Sequence, residues 1–93
     1  MNELQIPTAA VLDGRSLELA RIWAADGKQH VCLRTGIWDD PGAWGIMLAD
    51  LARHVANSYQ QSGKTDHASA LKRIVEAFHV ELDSPSGNLL QSQ

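Results

Sequence analysis

The helix punctuation in the second half of the chain, Asp40-Pro41, Gly63, Asp66 and Pro85, constrains the fold more than any other feature. An aspartate accepts hydrogen bonds from the free N–H groups of a helix's first turn, and a proline at the first helical position loses no needed donor. Asp39-Asp40-Pro41 therefore predicts a helix start, and the helix runs to about Gln61 or Ser62. Gly63 then supplies the left-handed residue that closes it. Asp66 caps a second helix ending near Asp83, before Pro85. So short a link makes the two helices antiparallel neighbours.

The first helix carries two adjoining apolar zones at 100° per residue. Trp44, Met47, Leu48, Leu51, Val55 and Tyr59 form the main stripe. Gly45, Ala49, Ala52 and Ala56 form a strip of small residues beside it, where another helix can approach closely. Together they span roughly 200°, too wide for a helix resting on a single surface. The second helix has one apolar arc, Ala68, Leu71, Ile74, Val75, Phe78 and Leu82, with Lys72, Arg73, Glu76 and Asp83 facing water.

The first half reads as sheet. Asp13-Gly14 and Asp26-Gly27 are turn signals, and Leu17–Ala25 and His30–Thr35 are rich in residues that suit strands. A two-residue turn at Asp26-Gly27 pairs Ala25 with Lys28, Trp23 with His30, Ile22 with Val31 and Arg21 with Cys32. Opposed residues share a face. One face is then Ala20, Ile22, Ala24, Val31 and Leu33, suited to cover the helices. The other carries Leu19, Arg21, Trp23, His30, Cys32 and Arg34. Ala9–Leu12 can add a third strand or form a helical turn. Ninety-three residues hold one small domain, with a folded part of about 9–84 and loose ends over 1–8 and 86–93.

Composition excludes several classes. The net charge of −3 opposes a protein built to grip phosphates, and one cysteine rules out an internal disulfide framework and an all-thiolate zinc site. The N-terminus lacks a secretory pattern and no apolar run reaches membrane-span length, so a soluble cytoplasmic protein is expected.

Several segments also carry a resemblance: Arg21-Ile22-Trp23-Ala24-Ala25, Leu33-Arg34-Thr35-Gly36-Ile37-Trp38, Asp40-Pro41-Gly42-Ala43-Trp44-Gly45 and Asp50-Leu51-Ala52-Arg53-His54. Over residues 20–84 the chain resembles a small family of uncharacterised proteobacterial proteins classed as a domain of unknown function. The resemblance implies a compact bacterial domain and carries over no activity, cofactor or site.

Candidate sites weigh as follows. Gly63-Lys64-Thr65 looks like the end of a phosphate-binding loop, but Ser58 stands where that motif needs a glycine, and Asp66 puts a carboxylate at the phosphate position. Asp39 and Asp40 can bind a cation, yet helix capping accounts for both. Asp50, Arg53 and His54 lie on the polar side of the first helix, where Asp50 and His54 can hold a metal, tune a base, or form an ordinary ion pair. His67 and His79 have no recognisable ligand spacing. Arg21, Trp23, His30 and Arg34 offer a cationic, aromatic face for an anionic ligand, a stacked base or a second subunit.

The expected architecture is α+β: an N-terminal antiparallel hairpin, or a three-stranded meander, packed on an antiparallel helix pair. The expected function is a non-catalytic homodimeric interaction module without a cofactor, because so thin a sheet leaves edges and faces that a second copy covers. A small-ligand or metal-binding protein, with or without catalysis, through Asp50, Arg53 and His54 is the alternative. Weak nucleic-acid binding through Arg21, Trp23 and Arg34 comes third.

Overall fold

A computed structural model describes residues 3–86. Its elements run α1 (Thr8–Leu12), β1 (Ala20–Ala25), β2 (Lys28–Leu33), α2 (Gly42–Gln61) and α3 (His67–Asp83). This is the expected α+β arrangement, with β1 and β2 in a two-stranded antiparallel sheet. Residues 1, 2 and 87–93, which belong to the ends read as loose, lie outside the described residues.

Turn chemistry sets the hairpin register. Asp26 and Gly27 both take positive φ, 55° and 72°, the left-handed pair that a two-residue hairpin turn requires. Pairing follows residue by residue: Ala25 with Lys28, Trp23 with His30, Ile22 with Val31, Arg21 with Cys32. The optional third strand does not form. Residues 8–12 are helical instead, started by Pro7, whose carbonyl accepts from Ala10 N at 3.0 Å. The Asp13 carboxylate then accepts from Arg15 N at 2.9 Å and the Ser16 hydroxyl donates to Ala10 O at 2.7 Å, turning the chain toward β1.

Each helix end is tied. Asp40 Oδ1 accepts from Gly42 N at 2.8 Å, while Pro41 already has helical φ and ψ. At the other end of α2, Gly63 N donates to Gln60 O at 3.0 Å and Lys64 N to Tyr59 O at 3.2 Å, with Gly63 at φ 77°. That pattern is a Schellman closure, so Gly63-Lys64-Thr65 is a turn between helices. Gln60 Oε1 reaches across it to accept from His67 N at 2.8 Å.

Asp66 caps α3 through Ser69, whose N lies 2.8 Å and whose Oγ lies 3.1 Å from the two carboxylate oxygens. These hydrogen bonds, first from the Ser69 N–H and then from its hydroxyl, hold the Asp66 carboxyl below the usual aspartate range. A depressed folded value means the cap's contribution is complete above the unfolded-state pKa and disappears as pH falls through the folded one. Acid below about pH 4 is thus expected to loosen the start of α3, while neutral pH changes do nothing. Asp66→Asn, which still accepts but does not titrate, is expected to flatten that dependence in amide exchange at Ser69 and Ala70.

The helices meet through their small residues. Ala56 on α2 is fully buried and Ala70 on α3 nearly so, and Ala52 is half-buried between them and the helix start. Ala52 and Ala56 are therefore the seat of α3, whereas Gly45 and Ala49 of the same strip stay exposed, as does the leucine-rich stripe beside it at Leu48, Leu51, Val55 and Tyr59.

The hairpin departs from expectation in one respect. It does not rest on the helices: no Cα of β1 or β2 lies within 8 Å of one in α2 or α3. The connecting segment 34–41 explains this, because both of its ends are held. Arg34 N donates to Leu19 O at 2.9 Å, fixing one end to the hairpin. Trp38 packs edge-on against Trp44, with ring centroids 5.1 Å apart and planes at 77°, fixing the other to α2. The chain is correspondingly open. Its radius of gyration is 15.1 Å, against about 12.3 Å for a globular chain of this length.

Candidate functional site

The outer hairpin face brings together the residues singled out from the sequence. Arg21 and Cys32 face each other across the strands, as do Trp23 and His30. Arg21, His30 and the neighbouring Arg34, however, make hydrogen bonds within the chain. Arg21 Nε donates to both Glu18 carboxylate oxygens, at 3.0 and 3.1 Å, and this carboxylate raises the guanidinium pKa further. Arg34 Nε donates to Glu18 O at 2.8 Å, and His30 Nε2 lies 3.1 Å from Ala25 O. Trp23 is half-buried. An open concavity of about 290 Å³ lies between Glu18–Arg21 and Cys32–Arg34. An anion bound there competes with Glu18 for Arg21.

The second candidate group remains on the solvent side of α2. His54 Nε2 lies 3.2 Å from Asp50 Oδ2, and both side chains are mostly exposed. Arg53 has no ion-pair partner among the described residues. Nor do the described residues contain a group of three or more His, Cys, Asp or Glu side chains able to hold a metal. An i, i+4 pair in water is worth little, since bulk dielectric weakens it and two side chains lose rotamer freedom. His54→Ala is expected to change unfolding free energy by no more than ~0.5 kcal/mol in denaturant titration.

The other sequence candidates have local roles. Asp40 caps α2 and Asp66 caps α3. His67 is half-buried, with a buried Nδ1 that lacks a hydrogen-bond partner, and His79 stacks edge-on with Phe78.

Sequence reasoning missed two features. The first is the Trp38–Trp44 contact, whose signal was available: two aromatic residues flanking a helix cap form a staple-like pair. The second is the amount of apolar surface left open on the inner hairpin face and along both helices.

The comparisons with known proteins extend the resemblance. A family model described as a domain of unknown function, DUF5076, matches residues 3–86. The chain belongs to this family. The DUF5076 match is wider than the 20–84 resemblance and takes in α1 and the turn that follows it. One solved structure, described as a "putative pyruvate dehydrogenase" from the photosynthetic bacterium Rhodopseudomonas palustrus CGA009, is 31% identical with a TM-score of 0.73. That likeness covers 92% of this chain and 88% of the other. No curated protein matches. Among the described residues no helix of this DUF5076 chain is long and apolar enough to cross a membrane.

Proposed function

We propose that this DUF5076 domain is a non-catalytic interaction module that works as a homodimer. One observation carries the reading: the chain exposes 8175 Å², about 2,900 Å² more than the roughly 5,300 Å² expected for a folded monomer of 10.2 kDa. Much of that surface is apolar and lies on faces whose periodicity is that of a buried face. Open apolar patches larger than a few hundred Å² are association surfaces in soluble proteins. Apolar faces left open in this way match the interfaces of obligate homodimers, which resemble a domain core cut in half.

The polar groups support the non-catalytic side of the reading. Asp40 and Asp66 are committed to caps, Arg21 to Glu18, and His54 to Asp50 on an exposed face. The dehydrogenase description belongs to the solved relative, and among the described residues no group of three or more His, Cys, Asp or Glu side chains adds to it. The acidic net charge of −3 and the pairing of Arg21 weigh against nucleic acid as the partner. The bacterial source of the relative supports the bacterial origin implied by the sequence resemblance.

Light scattering tests the assembly. Across micromolar concentrations the mass is expected to be twice 10.2 kDa. A mass of one chain at every concentration overturns the reading.

A further inference from the structure

We infer that the two copies exchange hairpins: the apolar face of each β1–β2 hairpin is seated on the α2–α3 helix pair of the other copy. The inference rests on the homodimer reading and specifies the surface that the second copy covers.

Two complementary apolar surfaces lie in one chain without touching. On the hairpin, Ile22 is 56%, Val31 46% and Leu33 55% exposed, all on the face where Ile22 opposes Val31. On the helices, Leu51 is 42%, Val55 39% and Phe78 50% exposed. Each surface has the pattern of a face that is buried in the folded protein, because strand alternation and helical spacing both segregate these residues from charged ones. Within one chain neither surface covers the other.

The linker keeps them apart. Eight residues, 34–41, are enough to let a hairpin fold back, but both ends of the segment are anchored. Arg34 is bound to Leu19 and Glu18 on the hairpin side, and Trp38 is packed on Trp44 at the α2 side. Gly36, at φ 79°, sets the bend between the anchors. With these contacts in place the hairpin stands off its own helices, and a second copy meets both surfaces without disturbing them.

Symmetry completes the argument. A hairpin given and a hairpin received is a reciprocal exchange about a two-fold axis, and it closes at two copies. It leaves neither apolar surface for a third chain. The exchange covers Ile22, Val31 and Leu33 of one copy with Leu51, Val55 and Phe78 of the other, in both directions.

Isotope-filtered NOE spectroscopy on a mixture of ¹³C-labelled and unlabelled chains tests the exchange. The chains are mixed by dilution from denaturant, or by incubation of native dimers if refolding is poor. The expected result is intermolecular NOEs from the Ile22, Val31 and Leu33 methyls to Leu51, Val55 and Phe78. Intermolecular NOEs confined to hairpin against hairpin, or helix against helix, in a sample of dimeric mass overturn the exchange while leaving the homodimer standing. A monomeric mass overturns both.

Discussion

Val31→Asp is expected to convert the protein to single chains at concentrations where the unaltered protein is dimeric. In an isolated chain Val31 is only half-covered, so a carboxylate there meets water and association-independent stability changes little beyond the lower strand preference of aspartate. In the dimer the same carboxylate faces apolar helix surface without a partner, and an unpaired buried charge costs several kcal/mol. At about 1.4 kcal/mol per tenfold, a weakening of association by a hundredfold or more follows. Sedimentation should report 10.2 kDa, and the thermal midpoint should fall and lose its dependence on concentration. Trp23→Ala, on the opposite hairpin face, is the contrasting variant. Because Arg21 is paired with Glu18, and His30 and Arg34 each hold a backbone carbonyl, its mass is expected to remain that of the dimer. Dissociation by Trp23→Ala with none by Val31→Asp assigns the interface to the cationic face instead.

Ala56→Leu is expected to destabilise the helix pair by about 1–3 kcal/mol, read from the denaturant midpoint. Ala56 has no exposed surface, and the alanines are what allow α2 and α3 to approach closely. Leucine has nearly the helix propensity of alanine, so the penalty comes from prising the helices apart and not from the backbone. Ala77→Leu, at an exposed position of α3, adds the same bulk with an expected change within ~0.5 kcal/mol. Equal effects from the two variants contradict the assignment of the alanine strip to α3.

Legibility from sequence followed the range of the physical signal. The hairpin register was readable to the residue because Asp26-Gly27 fixes a two-residue turn and everything outward from it. Helix limits were readable because capping is local: Asp40 serves Gly42, Gly63 closes α2, and Asp66 serves Ser69. Ala9–Leu12 was ambiguous because alternation over so few residues does not separate strand from helix. Pro7 behind the segment and Ser16 ahead of it decide for the helix by engaging its carbonyls and setting its start.

The placement of the hairpin was not readable. Periodicity shows that Ile22, Val31 and Leu33 share an apolar face, but it does not show whose surface covers that face. The linker contact Trp38 on Trp44 has a staple-like signal across the helix cap, but that signal fixes only the entry to α2 and does not say where the hairpin lies. The same limit applied to Arg21, whose charge looked available to a ligand until Glu18, outside the strand and three residues away, proved to hold it.

The concentration dependence of unfolding tests the central claim, that the open apolar surface is a core shared by two copies. If folding and association are one process, the thermal midpoint rises with protein concentration, and a hundredfold increase adds about 2.7 kcal/mol to apparent stability. Calorimetry from micromolar to hundreds of micromolar should therefore show a steadily rising midpoint. A midpoint that stays constant over that range, in a chain that remains folded, contradicts the account.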